Sequence, residues 1–410
     1  MNGTKLYQKL AIVPIVALGL AVAGCNKQAD NGTITPTTTA NTSITTTTGK
    51  NTTLNYSKNS PLDTSNMFTQ TDLTQTVDPT NAKKITLEDG KDVTIDAAGT
   101  YVITGTAKNS TVIVNASADA EVHLVFDNVS ITNTNKPTVY AVNAKNVYVT
   151  TIQNSTNNLK VTGEFTEDDG NDINAVIFAK TNITLNGLGT LNIDSSANGV
   201  ASNSDLKITG GIYNVNTIKH GFKALNSIRV ADGTFNINAT KDGFHSENED
   251  DLTTGYVYIA GGNFTINSED DGIQGTSITE IDGGTFAINA VEGIEGTYVQ
   301  INDGTIKIYA TDDGINASEK ATNYDVQIEI NGGNLDITMA EGDTDALDAN
   351  GTLTINGGYI NITAQFAFDF DLTASLNGGT VIVNGTQVTS ITNSMMEGVG
   401  GPGGFGGPQH

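Results

Sequence analysis

Gly261-Gly262-Asn263-Phe264-Thr265-Ile266-Asn267-Ser268-Glu269-Asp270-Asp271-Gly272-Ile273 contains the unit that decides the fold. A glycine corner leads into apolar residues two apart, Phe264 and Ile266, and an acid-Gly-apolar turn, Asp271-Gly272-Ile273, closes the unit. Spacing of two means a strand with one buried face. A glycine at the corner tolerates φ > 0 at least cost. The unit recurs at Gly189 (Leu191, Ile193), Gly211 (Tyr213, Val215), Gly233 (Phe235, Ile237), Gly284 (Phe286, Ile288), Gly304 (Ile306, Ile308), Gly333 (Leu335, Ile337), Gly358 (Ile360, Ile362) and Gly379 (Val381, Val383). Its period is roughly 22 residues, and a second short strand such as Val257/Ile259 or Ile328/Ile330 precedes each corner. No unit this small buries its own apolar face, so the copies must stack. The expected fold is all-β: a right-handed parallel β-helix.

Working outward, Lys83 to Asn182 repeats less cleanly, but Thr100-Tyr101-Val102-Ile103 and Val147-Tyr148-Val149 still alternate as strands. These are expected to be irregular early coils of the same solenoid, with a separate β-sandwich as the alternative. Asn216, Asn238, Asn267 and Asn289 fall at one position of successive units and suit a structural ladder of amides. The helix occupies residues 81–392. Before it, residues 25–80 are Thr/Asn-rich and read as a disordered tether; after it, residues 393–410 are a Gly/Pro-rich disordered tail. Residues 1–24 have a basic start, Lys5 and Lys9, and an apolar run from Leu10 to Ala23, as a signal peptide has. That run ends in Val22-Ala23-Gly24-Cys25, which resembles a bacterial lipobox; the expectation is that Cys25, the sole cysteine, carries lipid and holds the protein at the outside of the cell envelope. Formal net charge is −25 and Arg229 is the sole arginine, which argues against nucleic acid as a partner.

The acids are not scattered. Asp242-Gly243, Asp271-Gly272, Glu292-Gly293, Asp313-Gly314 and Asp345-Ala346 occupy the same turn, with Asp270 and Asp312 doubling two of them. Stacked at the strand spacing, Asp242, Asp271, Glu292, Asp313 and Asp345 form a column of carboxylates at about 4.8 Å. Bare charges that close repel by about 3 kcal/mol at an effective dielectric of ~20. The column must take up protons, turn to water or bind a cation, and calcium suits carboxylates from neighbouring strands. An Asp-Gly turn whose carboxylate accepts backbone N–H groups accounts for one acid per coil; the doubled acids and nearby Glu295, Asp343, Asp348 and Asp371 favour metal. Insertions at His245 to Gly255, which carries Glu247, and at Ser318 to Asn323 are expected to wall the column. A further acidic loop holds Asp168, Asp169 and Asp172 close enough in sequence to converge on one cation.

With Gly99-Thr100-Tyr101-Val102-Ile103-Thr104-Gly105, Asp169-Gly170-Asn171-Asp172, Leu188-Gly189-Thr190-Leu191 and the repeated Gly-Gly and Asp-Asp-Gly-Ile turns, the chain from Thr100 to about Gly385 resembles the carbohydrate-binding, polysaccharide-lyase-like β-helix family of bacterial surface proteins. The resemblance implies Ca²⁺ binding and recognition of polysaccharide, acidic (pectic) or cellulose-like, without established catalysis. On that reading calcium on the column bridges to uronate carboxylates, with His245, Glu247, Glu295, Tyr256 and Tyr258 among the ligand-binding residues. The absence of tryptophan counts against a strong stacking platform. A lyase, with Lys219, Lys223, Lys241 or His245 as base, and a surface adhesin are the alternatives.

Overall fold

The computed structural model describes residues 60–166, 173–342 and 344–394. The strands pair in parallel, coil on coil, into one long stack that does not close on itself. From Asn182 onward three sheets run the length of the molecule. The first joins Asp205–Ile208, Ser227–Val230, Tyr256–Ile259 and their successors. The second joins Ile212–Thr217, Thr234–Ala239, Asn263–Ser268, Thr285–Ala290 and Thr305–Ala310. The third joins Asn198–Ser202, Phe222–Ala224, Phe244–Ser246, Ile273–Ile281, Ile294–Ile301, Asp313–Ala317 and Asp345–Ala349. This is the parallel β-helix expected from the repeat. The strands from Lys83 to Val161 pair in parallel too and pass directly into it, so no separate sandwich exists there.

The core is a filled cylinder of aliphatic and aromatic columns. Tyr213, Phe235, Phe264 and Phe286 stack from coil to coil with centroids 5.2, 4.7 and 4.4 Å apart. Phe222 and Phe244 stack beside them at 5.0 Å and present their edges to Phe235. Two glycine positions have different causes. The corner glycines, such as Gly233 at φ 149° and Gly262 at φ 122°, lie where side chains are strained. The glycine of each acid-Gly turn is required by crowding: a Cβ on Gly293 would sit 2.3 Å from the carbonyl oxygen of Gly314 on the next coil. The turn that carries the acids is thus one of the places where coils approach too closely for a side chain. Outside the second sheet the amide ladder forms as expected, Asn238 donating to Asn216 at 2.9 Å and Asn267 to Asn238 at 3.0 Å.

Residues 60–80, read from sequence as the end of a disordered tether, are instead fixed to the first sheet in their leading part. Thr69 and Asp72 cap a short helix, Gln70–Leu73, reciprocally. Met67, Phe68 and Leu73 bury themselves against Ala231 and Tyr258. Asp72 pairs with Lys207 at 2.8 Å, and Gln75 bonds Gly187 and Thr209. Three apolar side chains and a buried ion pair hold a segment whose average composition is that of a linker. At the other end Asn393 donates to Asp369 at 2.6 Å and Ser394 accepts from the amides of Ala367 and Phe368, so these two residues, expected in the tail, bond to the β-helix. The signal peptide, Cys25 and residues 395–410 lie outside the described residues.

Candidate cation and glycan site

Register converts the repeated turn into two rows of side chains. Because Phe222, Phe244, Ile273, Ile294, Ile315, Leu347 and Phe368 are aligned, the residues two before them, His220, Asp242, Asp271, Glu292, Asp313 and Asp345, form one row. The residues just after them, Lys223, His245, Gln274, Glu295, Asn316, Asp348 and Asp369, form the other. The expected column therefore exists, and a partner row flanks it. Lys223, His245, Glu295 and Asp348 of that second row stand out in the sequence by their charge, whereas Gln274 and Asn316 carry none; their signal is the position immediately after the apolar residue of each turn.

The first row serves the fold as well as the cleft. The Asp271 amide donates to Asp242 Oδ1 at 3.2 Å, and the Asp345 amide to Asp313 Oδ1 at 3.3 Å, which is the turn role foreseen for a single acid per coil. What remains exceeds that role. Asp271, Glu292 and Glu295 bring carboxylate oxygens within 4.8 Å of one another, on the wall of an open cleft of about 350 Å³. Gln274 donates to Asp271 at 2.8 Å and also to Glu295, and Lys320, from the second insertion, reaches Glu295 at 2.8 Å. The first insertion supplies Glu247, and Tyr324 O–H donates to the Thr253 carbonyl, joining the two loops. They wall the cleft as expected.

One lysine does not balance these acids. Burial, with the charges of Asp242, Glu295 and Glu292, raises Asp271 far above the carboxylate range. Burial and Glu295 bring Glu292 to about 7, and burial with Asp348 and Glu292 brings Asp313 to about 8. Burial and then Asp369 raise Asp348 to about 6. Two buried oxygens here, Asn316 Oδ1 and Asp348 Oδ1, have no hydrogen-bond partner. Asp242 behaves oppositely. Its burial is outweighed by hydrogen bonds and charge from His220 and His245, which hold it well below the usual range. Asp270 lies with Asp242 and Asp271, their carboxylate oxygens within 4.8 Å of one another, and pairs with Lys241 at 2.5 Å, while Asp312 is exposed and adds charge to Glu292 and Asp313.

Two expected ligand-binding residues are elsewhere. Val257 and Ile259 point into the core, so Tyr256 and Tyr258 face outward from the first sheet, where residues 60–75 cover them. Tyr258 is fully buried and donates to Asp282 at 2.9 Å; the Tyr256 ring packs under Arg229, and its hydroxyl meets Met67. Neither reaches the cleft. Asp168, Asp169, Asp172 and Asp343 lie outside the described residues.

Comparison with known proteins gives this geometry a context. A relative from Acetivibrio thermocellus, described as a carbohydrate-binding domain-containing protein, is 33% identical over 124 residues, which is 30% of this chain and 43% of that protein. A solved structure described as a polysaccharide lyase-like protein from C. thermocellum, as a gadolinium derivative, is 26% identical, with a TM-score of 0.47 over 64% of this chain and 99% of that one. The family model of carbohydrate-binding domain-containing proteins matches residues 89–298 and 290–394, which together span nearly all of the β-helix and both rows of the cleft, and the chain belongs to that family.

Proposed function

We propose that this protein is a non-catalytic surface lipoprotein that binds acidic polysaccharide through calcium held on the carboxylate column. The observation that carries this reading is the surplus of buried and half-buried carboxylate over cation at Asp271, Glu292, Glu295, Asp313 and Asp348, beside amide and carboxylate oxygens without partners. Oxygen-only donors on adjacent coils are the chemistry of calcium, which takes six to eight oxygens and so accepts ligands beyond those of the protein. A uronate carboxylate is such a ligand, and calcium between the two reconciles an acidic protein with an acidic sugar. The covering of Tyr256 and Tyr258 removes two of the rings a neutral, cellulose-like chain would stack on, although Tyr309 and Tyr359 stay exposed.

The same site is poorly furnished for lyase chemistry. His245 Nδ1 meets Asp242 at 2.5 Å and Nε2 meets Glu247 at 3.2 Å; despite its burial, these two carboxylates raise its pKa, and both ring nitrogens are already engaged. Lys241 is held charged by Asp270, and Lys320 by Glu295 in spite of burial. Attachment follows from the lipobox: Cys25→Ser should move the protein from the membrane to the soluble fraction, and a variant that stays membrane-bound contradicts lipidation.

The test of the site is Asp271→Asn with Asp313→Asn, which removes charge and keeps shape. Binding to polygalacturonate in calcium should weaken at least about tenfold, since calcium affinity follows ligand charge. The β-rich circular dichroism spectrum should not change. Undiminished binding moves the site off the column.

A further inference from the structure

The N-terminal end of the cleft differs chemically from the rest. There the rows supply imidazoles instead of carboxylates: His220 and His245 lie on successive coils with rings stacked 4.3 Å apart, and Asp242 sits between them. We propose that His220, Asp242 and His245 form a site for a borderline transition ion such as Zn²⁺, at the end of the cleft where Asp242 adjoins the oxygen-only carboxylates.

Both Nδ1 atoms converge on one carboxylate oxygen. Asp242 Oδ2 is 3.3 Å from His220 Nδ1 and 2.5 Å from His245 Nδ1, and donor atoms of all three residues lie within 4.8 Å of one another. Tetrahedral zinc, with bonds of about 2.0–2.2 Å, holds its ligands roughly 3.3 Å apart. The His245 contact therefore opens by under about 1 Å as the ion displaces the proton now shared there. The Asp242 amide donates to His220 Nδ1 at 3.3 Å, so that nitrogen carries its lone pair rather than a proton, and the ion would replace the amide there.

The surroundings are those of a ligating histidine. His245 Nε2 meets the Glu247 carboxylate at 3.2 Å, and a carboxylate on the distal nitrogen is what orients metal-bound imidazoles. All three side chains are largely buried, yet they line the cleft, which leaves the ion an open side toward a water or a glycan hydroxyl. Lys223 is the cation nearest in register, beside His245, and Asp242, Glu247 and Asp271 more than offset it. Imidazole donors disfavour calcium and suit zinc, nickel or copper, so the two ends of the cleft select different ions.

The experiment titrates the full chain with Co²⁺ in saturating Ca²⁺ and reads visible absorption. The expected result is a single equivalent of Co²⁺ with the bands of a nitrogen-oxygen site, unaffected by calcium and displaced by Zn²⁺. His220→Ala with His245→Ala should abolish the bands and leave calcium binding unchanged, and Glu247→Gln should weaken Co²⁺ about tenfold. Should the double variant fail to fold, Cu²⁺ on the unaltered protein decides: nitrogen coupling in its paramagnetic resonance spectrum supports the site. No Co²⁺ uptake in excess calcium, retention of the bands without the histidines, or an oxygen-only copper spectrum overturns it.

Discussion

Phe235→Ala should lower the stability of the β-helix by about 3–5 kcal/mol, the range for deleting a fully buried aromatic ring. Phe235 is completely buried in the middle of an aromatic stack, between Tyr213 and Phe264, with Phe222 and Phe244 meeting it edge-on. Neighbouring rings are fixed by their own coils at the strand spacing, so they cannot collapse into the space. A solenoid is held by contacts between adjacent repeats, so a void in one coil weakens its junctions on both sides. Denaturant unfolding measures the effect, and limited proteolysis near residue 235 should accelerate in parallel. A loss under about 1 kcal/mol would mean that the stack is not what joins these coils.

With calcium chelated, the protein should lose stability as pH rises from about 5 to about 8. Glu292, Asp313 and Asp348 have folded-state pKa values of about 7, 8 and 6, and Asp271 is raised further, all above those of an unfolded chain. A carboxyl raised on folding binds more protons in the native state. Its stability contribution is complete below the unfolded pKa and is lost as pH climbs through the folded value. His245, also raised, adds a loss of the same sign, while His220 and His123, lowered by burial, oppose it in part. Asp242 is lowered, so it contributes at neutral pH and loses its contribution only in acid, outside this window. A fall in melting temperature of about 5 °C is expected across the range. A flat or rising profile in chelator would show that the carboxylates are already compensated by Lys320, Gln274 and solvent.

What the sequence disclosed follows from periodicity. Apolar spacing of two and recurrent glycine corners have one economical stacking, and the close approach at each acid-Gly turn fixes register well enough to align Asp242 with Asp271, Glu292 and Asp313. The residues that escaped have no periodic signal of their own. Gln274 lines the cleft and Asn316 donates to Glu292 on its wall only because each follows the apolar anchor of a turn. Met67, Phe68 and Leu73 are a few apolar positions in a Thr/Asn-rich stretch, and only the Thr69 and Asp72 capping pair marks their order. Val257 and Ile259, two apart, put Tyr256 and Tyr258 on the outer face of their strand; that residues 60–75 cover this face is a long-range packing event that no local pattern encodes.

Calcium titration of the unaltered protein at neutral pH, followed by calorimetry and by melting temperature, tests the column most directly. The account predicts saturable binding, a melting temperature that rises with free calcium, and loss of both effects in Asp271→Asn with Asp313→Asn, since an ion that binds only the folded chain stabilises it by mass action. No heat of binding, and melting curves that coincide in calcium and in chelator, would contradict it and leave the acids as turn residues alone.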